Sequence, residues 1–370
     1  MPIPPAPPPG AVVPPSPGAA VAVPAGAKRR VALLLPLSGN NAALGRALLD
    51  AAQLAVFDMG DESFALLPRD TGGTPDGAVR AAEAALNDGA GLLLGPLFGA
   101  EAQAVAPVAR ARGINVISLS NDRAIAQPGI FAFGLTPQVQ VERIVEFARS
   151  RGLQRFAGLI PANAYGDAVE DAFRRTVTRN GGELVLIERY DAAGDLGQAV
   201  RRLADAEIRR SARLDALLLP DFGDRLLAVA PLLPYYDVDP SKIRFLGNAL
   251  WEDPRLGREP ALTGAWFAAP TPAARADFTR RYNEVYGRPP PRLATLAYDA
   301  VAMAAFLARK PGGDLSIGAL TNPDGFAGLD GIFRLLPDGI TQRGLAVLEM
   351  RRDNFPVISP APTTFQVPTQ

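Results

Sequence analysis

The sequence contains neither cysteine nor histidine. The absence of cysteine excludes disulfides and thiolate chemistry, and it leaves the redox compartment unspecified. The absence of histidine removes the commonest general base, the Ser-His-Asp triad and the usual zinc ligand. The chemistry available to this chain therefore depends on carboxylates, hydroxyls, amides and arginines.

Lysine is almost as scarce, because it occurs only at Lys28, Lys242 and Lys310. The sequence has no S-x-x-K arrangement and no G-x-x-x-x-G-K-[ST] loop, so Ser-Lys catalysis and P-loop nucleotide hydrolysis have no support. Two carboxylate pairs, Asp221 with Asp224 and Glu252 with Asp253, remain as acid–base candidates. Acidic residues are common in the first turns of helices, and we favour that interpretation. We predict no enzyme, no catalytic residue, no metal and no cofactor.

The charge is balanced, with 38 basic and 38 acidic residues in 370. A neutral surface gives no broad electrostatic reason to bind nucleic acid or anionic lipid. The hydrophobic content of 48% is enough for real cores. At roughly 100–200 residues per domain, the length is suited to two lobes.

Both ends of the chain are rich in proline. Residues 1–28 are dominated by Pro, Ala, Gly and Val, and we interpret them as a linker that cannot bury a core. A Pro-rich tether of this kind typically follows a lipidated cysteine or a cleaved signal, so we expect an export segment upstream. Residues 355–370 are predicted to be a flexible tail.

The stretch from Val31 to Asp58 begins with an unbroken apolar run, continues through a Pro-Ser-Gly-Asn turn and ends in a helical pattern. It is typical of the first half of a βαβ unit. Polar or small loops also follow the next strands, at 95–99 and 118–122. Loops after parallel strands meet at one sheet edge, where ligands bind. Ser38, Ser120 and Asn121 are therefore candidates to hydrogen-bond a ligand, or else to cap the following helices.

A second strand–helix series runs from residue 155 to 250. Two such series, each about a hundred residues long, predict an α/β fold of two doubly wound parallel-sheet lobes. Near the end, Gly331–Leu335 and Ala346–Met350 are predicted to form a closing hairpin of strands.

Six segments, in this order along the chain, are similar to segments of a known family: LLLPLSGNNAALGRALLDAAQLA, LLLGPLFG, GINVISLSND, NAYGDAVEDAF, RPPPRLATLAYDAV and FAGLDGIFRLLPDG. Together they resemble the type I periplasmic-binding-protein fold of the Leu/Ile/Val-binding family over residues 30 to about 352. The Pro-rich tether and the closing segment are most similar to the penicillin-binding-protein activator branch. The resemblance implies a clamshell that closes by hinge motion, with crossovers near 135–138, 246–252 and 322–330. It implies a first lobe of 29–136 plus 249–322 and a second of 137–248 plus 323–354.

The resemblance also implies a ligand site between the lobes. Its predicted first-lobe contacts are Leu97, Phe98, Gly99, Ser120 and Asn121, beside Ser38. The second lobe is expected to supply Tyr165, Asp221, Phe222, Trp251 and Glu252. Transport members of the family commonly have a serine donor in the Gly-Pro loop, where this sequence has Phe98-Gly99, which weakens the case for an amino-acid ligand.

Two functions follow from the resemblance. The one we favour at this point is a regulatory module that activates a peptidoglycan synthase, a penicillin-binding protein, from the periplasm, tethered to the outer membrane as a lipoprotein. The alternative is the substrate-binding protein of an ABC transporter for branched-chain or other amino acids or small polar ligands.

Overall fold

The computed structural model of the protein describes residues 28–59, 64–191, 194–210, 213–310 and 313–366. Most of the predicted linker, residues 1–27, lies outside the described residues. The strands are β1 (Arg29–Leu35), β2 (Phe64–Asp70), β3 (Leu92–Leu94), β4 (Val116–Ser118), β5 (Ile130–Ala132), β6 (Arg155–Pro161), β7 (Glu183–Tyr190), β8 (Ala216–Leu218), β9 (Arg244–Gly247), β10 (Trp266–Ala269), β11 (Phe326–Gly328), β12 (Gly331–Leu335), β13 (Thr341–Arg343), β14 (Ala346–Glu349) and β15 (Val357–Ser359).

The helices alternate with the strands through most of the chain. They are α1 (Ala42–Met59), α2 (Pro75–Asn87), α3 (Gly99–Ala111), α4 (Pro137–Ser150), α5 (Ala164–Arg179), α6 (Leu196–Arg210), α7 (Gly223–Val229), α8 (Leu232–Tyr235), α9 (Pro254–Gly257), α10 (Pro272–Tyr286), α11 (Ala294–Arg309) and α12 (Ile317–Leu320). Among the described residues, no helix combines the length and apolar character needed to cross a membrane.

The first lobe is built on a parallel sheet in the order β2-β1-β3-β4-β5. Its central strand β1 is an apolar run because both faces of the sheet are covered. Val31, Leu33 and Leu35 pack into one core, whereas Ala32 and Leu34 pack into the core on the other face. The predicted strand and the helix that follows it are therefore confirmed.

The second lobe is built on a sheet in the order β15-β14-β10-β9-β8-β6-β7. Strands β6 to β10 are parallel, and β14 and β15 are added antiparallel at one edge. Successive residues of β10 again face opposite cores, with Phe267 in one and Ala268 in the other. The predicted α/β architecture of two parallel-sheet lobes is confirmed.

The sequence-based lobe boundaries are wrong in two places. Residues 249–269 were assigned to the first lobe, but β10 pairs with β9 and β14, and Trp251 packs in the second-lobe core. Residues 326–343 were assigned to the second lobe, but they form a separate sheet, β11-β12-β13, whose Phe333 packs in the first-lobe core. The chain therefore crosses between lobes near 133–136, 270–271 and 344–345. Only the first crossover lies where it was predicted.

The remaining helices of the third segment belong to the first lobe. Helix α11 packs along α1, and α10 is attached to α1 by Phe278 and Tyr282, which pack against Ala51 and Leu54. The hydroxyl of Tyr282 also donates to the Asp50 carboxylate at 3.2 Å.

The observed strand pairing differs from two predictions, the closing hairpin and the flexible tail. Strand β12 pairs with β11 and β13, whereas β14 pairs with β10 and β15, so the two predicted hairpin strands lie in different sheets. Residues 357–359 of the predicted tail form β15. The Arg143 guanidinium of α4 donates to Ser359 Oγ at 2.6 Å and to Pro360 O at 3.2 Å, which holds this segment on the second lobe.

Candidate functional site

The carboxyl ends of the two parallel sheets face each other across the crossovers. The first crossover leaves the carboxyl end of β5 and enters α4, whose Gln140 side chain accepts a hydrogen bond at 2.9 Å from the backbone of Ala249, just after β9. The second crossover leaves the carboxyl end of β10 and enters α10 on the first lobe. The loops after the strands of both lobes therefore line one interlobe cleft, the position at which open α/β sheets bind ligands.

On the first lobe, the loop after β1 is fixed by Asp70 at the end of β2. The carboxylate accepts hydrogen bonds from the backbone of Leu37 at 2.8 Å, Ser38 at 3.2 Å and Gly72 at 2.8 Å. Partial burial opposes ionisation, but these bonds and one from the Ser38 hydroxyl lower the pKa of Asp70. Ser38 is exposed at the cleft, yet its donors are used within the loop.

The Gly-Pro loop contributes little polar surface. The side chain of Leu97 is buried in the first-lobe core, so a ligand contact there stays a prediction for the backbone of the loop alone. Phe98 is half-buried, and its backbone N–H donates to the side chain of Glu101 at 3.4 Å. The space that a side chain would occupy at Gly99 is taken by Asp122, because an added Cβ would lie 2.6 Å from Asp122 Oδ2.

The loop after β4 is also bonded internally. Ser120 is buried, and its hydroxyl accepts from the backbone of Asp122 at 3.0 Å. Asp122 caps the next turn through Ala124 N at 2.9 Å. Asn121 is exposed. The structure thus brings Gly99, Ser120 and Asp122 together. Sequence analysis did not select Asp122, although the adjacent polar pair marked its loop.

On the second lobe, Tyr165 and Asp221 are both held by hydrogen bonds to other groups of the same lobe. The Tyr165 hydroxyl donates to Pro220 O at 3.1 Å and accepts from Asn248 Nδ2 at 2.8 Å, and its burial raises its pKa. Asp221 is buried, accepts from the Tyr190 hydroxyl and lies 3.5 Å from Arg225. Asp221 is therefore a structural acceptor rather than the predicted cleft contact.

Phe222 and Trp251 differ sharply in exposure. Phe222 is 48% exposed at the start of α7, so it is free to contact a ligand or a partner. Trp251 is 0% exposed, donates from Nε1 to Asp221 O at 3.0 Å and lies over Gly247, where there is no room for a side chain. Trp251 fills the second-lobe core, and its predicted role as a cleft wall is wrong.

Glu252 is the predicted residue that does reach a cavity between the lobes. Its carboxylate pairs with Arg275 on α10 of the first lobe, and the two side chains are 8% and 24% exposed. Burial raises the pKa of Glu252 and lowers the pKa of Arg275, with each partner opposing the shift of the other. This ion pair joins the lobes beside the second crossover.

The cavity at this ion pair has a volume of about 160 Å³, and we call it the hinge pocket. One side comes from the segment after β9 and the other from α10 and the segment that begins α11. Its lining residues are Ala249, Leu250, Glu252, Arg275, Phe278, Thr279, Pro290, Pro291, Arg292 and Thr295. Sequence analysis missed Arg275 and Arg292. The only signal was an arginine in the phrase RPPPRLAT, and nothing in that phrase indicates which lobe or loop lies opposite.

Behind the hinge pocket lies a buried network of charged residues. Arg292 Nη1 donates to Asp330 Oδ2 at 3.1 Å, and the Thr295 hydroxyl donates to the same oxygen at 2.7 Å. Asp299 accepts from the backbone of Leu329 at 2.7 Å, and its burial, reinforced by Asp330, raises its pKa to about 7. Arg343 is also buried, and its guanidinium lies over the rings of Phe133 and Phe333.

The carboxylates near the cleft are not grouped for joint use. Within the described part of the chain, no group of three or more Asp and Glu side chains is placed to hold a metal ion. The carboxylate pair of Asp221 and Asp224 is divided, because Asp221 bonds Tyr190 while Asp224 pairs with Arg255 at 2.8 Å. What the site offers is a cleft with an amphipathic pocket at its hinge.

Comparison with known proteins identifies the family. The family model described as periplasmic binding protein matches residues 28–354. An uncharacterized protein of Rickettsia prowazekii is 23% identical over 225 residues, which cover 60% of each chain. The chain thus spans about 60% of the length of that relative.

Solved structures share the fold over nearly the whole chain. A protein of Rhodospirillum rubrum assigned to a branched-chain amino acid ABC transporter superimposes with a TM-score of 0.79 at 22% identity, covering 90% of this chain and 100% of its own. A solute-binding protein of Rhodopseudomonas palustris BisB5, in complex with 3,4-dihydroxybenzoic acid, gives 0.64 at 20% identity over 91% and 97%. At these identities the likeness establishes the fold alone. From the family match and the fold together, this chain belongs to the periplasmic binding protein family.

Proposed function

We propose that the protein is the solute-binding component of an ABC transporter and captures a small molecule between its lobes. The observation that carries the proposal is the placement of the hinge pocket. It is lined by a second-lobe segment after β9 and by first-lobe helices after the second crossover, so a molecule bound there touches both lobes. A ligand that contacts both lobes favours the closed state by its differential affinity.

The relatives support this function over a regulatory one. The Rhodopseudomonas palustris protein is described as the solute-binding protein of an ABC transporter, and the Rhodospirillum rubrum protein is assigned to such a transporter. A second Rhodopseudomonas palustris solute-binding protein, with a TM-score of 0.61, was solved with benzoate. The family also supports a periplasmic location for the present chain.

The activator function suggested by the sequence remains a second hypothesis. The match is to the periplasmic binding protein family as a whole and does not identify the penicillin-binding-protein activator branch. What favours it is the first-lobe cleft wall, where Ser38 is bonded to Asp70 and Gly99 is filled by Asp122. A lobe with few free donors is compatible with an inherited cleft that binds no ligand. Retention of a peptidoglycan synthase from envelope extracts, together with indifference to all solutes, would favour the activator.

The transport function is tested by ligand-dependent stabilisation. We expect at least one member of a panel of small acids, amino acids and neutral polar solutes to raise the melting temperature in a saturable manner. A solute at a hundred times its Kd adds about 2.7 kcal/mol to the free energy of unfolding. A panel that leaves the melting temperature unchanged at millimolar concentration would contradict the proposal.

A further inference from the structure

We propose that residues 357–366, which we call the C-terminal strap, tie the two lobes together beside the crossover at 344–345 and limit the range of their hinge motion. One half of the strap is attached to the second lobe and the other half contacts the first lobe, so the strap spans the joint about which the lobes turn. The proposal concerns the movement of the lobes themselves and applies whether or not a solute binds between them.

The attachment to the second lobe is made by strand pairing and by Arg143. Residues Val357–Ser359 form β15, which pairs antiparallel with β14 at the edge of the second-lobe sheet. The Arg143 guanidinium donates to Leu345 O at 2.7 Å and to Ser359 Oγ at 2.6 Å, so one side chain holds both the crossover and the strap. Ala361 packs against the second-lobe core. This half of the strap therefore moves with the second lobe.

The far end of the strap contacts the sheet β11-β12-β13. The ring of Phe365 lies under the guanidinium of Arg334 on β12, with 4.7 Å from the guanidinium carbon to the ring centroid. Arg334 is positioned by Gln342, whose side-chain oxygen accepts from Arg334 Nε at 2.7 Å. Gln366 Nε2 donates to the Asp324 carboxylate at 2.6 Å. The strap thus has a side-chain attachment at each of its two ends.

The sheet that Phe365 contacts belongs to the first lobe. Phe333 packs in the first-lobe core. The backbone of Ala132 on β5 donates to Gly339 O at 2.9 Å, and Arg343 Nη2 donates to Phe133 O at 2.6 Å. A rotation of the lobes therefore changes the distance between the two ends of the strap.

The middle of the strap lies against the crossover itself. At Gly344 an added Cβ would lie 3.0 Å from Pro362 Cγ and 3.1 Å from Pro362 O, so two chain segments pass side by side between the lobes. Only five residues, 360–364, connect Ser359 to Phe365, and two of them are prolines, whose φ is fixed by the ring. A short connection with a restricted backbone has little slack, so the first-lobe contacts cannot persist through a large rotation.

The two ends of the strap differ in strength. The second-lobe half is a strand of the sheet, whereas the first-lobe contacts are a cation–π pair and an amide–carboxylate hydrogen bond near the surface. Contacts of the latter kinds are individually weak. The far end should therefore release and rebind, which biases the lobes toward the arrangement in which it is bound without locking them there.

Spin labels on the two lobes measure this bias. The chain has no cysteine, so two introduced cysteines are its only labelling sites. Ala84→Cys on α2 and Thr178→Cys on α5 place one exposed label on each lobe, and double electron–electron resonance gives the distribution of distances between them without any solute. We expect one dominant distance in the full chain. Phe365→Ala combined with Gln366→Ala should raise the ratio of other distances to the dominant one roughly tenfold, since each lost contact is worth a few-fold in an equilibrium constant.

Two control variants separate loss of the strap from loss of a side chain. Phe57→Ala removes an aromatic ring that is 81% exposed on α1, outside the strap, and should leave the distribution unchanged. Phe365→Trp keeps a ring for Arg334 and should keep the wild-type distribution. If the double variant does not fold, Asp324→Ala removes one of the same contacts from the first-lobe side and should shift the same ratio a few-fold.

The outcomes distinguish a restraint on the lobes from a merely structural segment. A structural role alone would lower the melting temperature of the variants and leave the distances unchanged, and that result would overturn the proposal. A full chain whose distances are already as broadly distributed as those of the double variant would overturn it as well. The transport function stands or falls separately, because it is measured by stabilisation with solutes, whereas the strap is measured without any solute.

Discussion

The two sides of the interlobe cleft use their polar groups in opposite ways. On the first-lobe wall, the donors of Leu37, Ser38 and Gly72 all bond to Asp70, and the loop after β4 bonds to itself. At the hinge pocket, by contrast, Arg292 keeps two donors that bond to no described protein group. Internal satisfaction makes a rigid, preformed wall, whereas buried donors without an acceptor are a cost to the folded protein.

The difference has a structural origin. The first-lobe loops are short connections after parallel strands, where an acidic side chain at a strand end can satisfy neighbouring N–H groups. The hinge pocket is assembled from segments far apart in the chain, Ala249–Glu252 on one lobe and Arg275 to Thr295 on the other. Its polar groups meet only through the tertiary fold, so their mutual satisfaction depends on the position of the lobes and on what lies between them.

The largest expected effect comes from removing the acceptor behind the hinge pocket. Asp330→Ala leaves Arg292 and Thr295 without their shared acceptor and should lower the free energy of unfolding by about 3–5 kcal/mol, the usual result of breaking a buried ion pair. Urea denaturation measures it. Asp277→Ala, an exposed acid paired with Arg280, is the control and should stay within about 0.5 kcal/mol. A small effect at Asp330 would mean that the network is not stabilising.

The pH dependence of stability tests the same network. Because burial raises the pKa of Asp299 to about 7 from an ordinary value of 3.8, the folded protein binds more protons than the unfolded chain between these values. Stability should therefore fall as pH rises from about 4 to 7, with Asp330 adding to the effect and Arg343 opposing it. Asp299→Asn should flatten this slope in urea titrations. A slope that is unchanged in Asp299→Asn would show that another group is responsible.

Alanine substitutions at two glycines compare the packing of the second-lobe core with that of the first-lobe wall. At Gly247 a methyl group would overlap the buried indole of Trp251, so Gly247→Ala should cost about 1–3 kcal/mol through overpacking. At Gly99 the methyl group meets the Asp122 side chain, which lies on an exposed loop and can shift with it, so Gly99→Ala should cost less than Gly247→Ala. Thermal unfolding of the two variants gives the comparison. Equal losses would indicate that the Asp122 loop is as rigid as the second-lobe core.

A small effect is also expected where Asp70 holds the loop after β1. Asp70→Ala removes one acceptor from three backbone donors at an exposed loop, where water can replace it, and should cost about 1 kcal/mol. Since the pKa of Asp70 is lowered by folding, its contribution should be present above pH 4 and vanish as the pH falls below that value. Urea titrations at pH 7 and pH 3 check both points, and a loss that is larger at pH 3 than at pH 7 would contradict them.

Much of the fold was predictable from local sequence. Pro137 and Pro272 occupy the first turns of α4 and α10, the place in a helix that proline favours. The lobe assignment of β10 was not predictable, because a short apolar strand carries no information about which sheet it joins. For the same reason Gly331–Leu335 and Ala346–Glu349 were assigned to one hairpin although they belong to different sheets.

The candidate site was predictable only in part. The loops at Ser38 and Ser120 lie at the ends of β1 and β4 as predicted, because loop position follows from the alternation of strands and helices. The sequence does not show which side chains remain available to a ligand. Trp251 packs in the second-lobe core, and Ser38 is hydrogen-bonded to Asp70. Arg292 was missed because nothing in its local sequence indicates that it lies opposite the segment after β9.

The central claim is that ligand recognition lies at the hinge pocket and not at the first-lobe wall. The most direct test is to compare Arg292→Gln with Ser38→Ala in titrations of the solute that best stabilises the wild-type protein. We expect Ser38→Ala to bind within about twofold of wild type and Arg292→Gln to bind roughly tenfold or more weakly. Loss of binding in Ser38→Ala with normal binding in Arg292→Gln would contradict the claim.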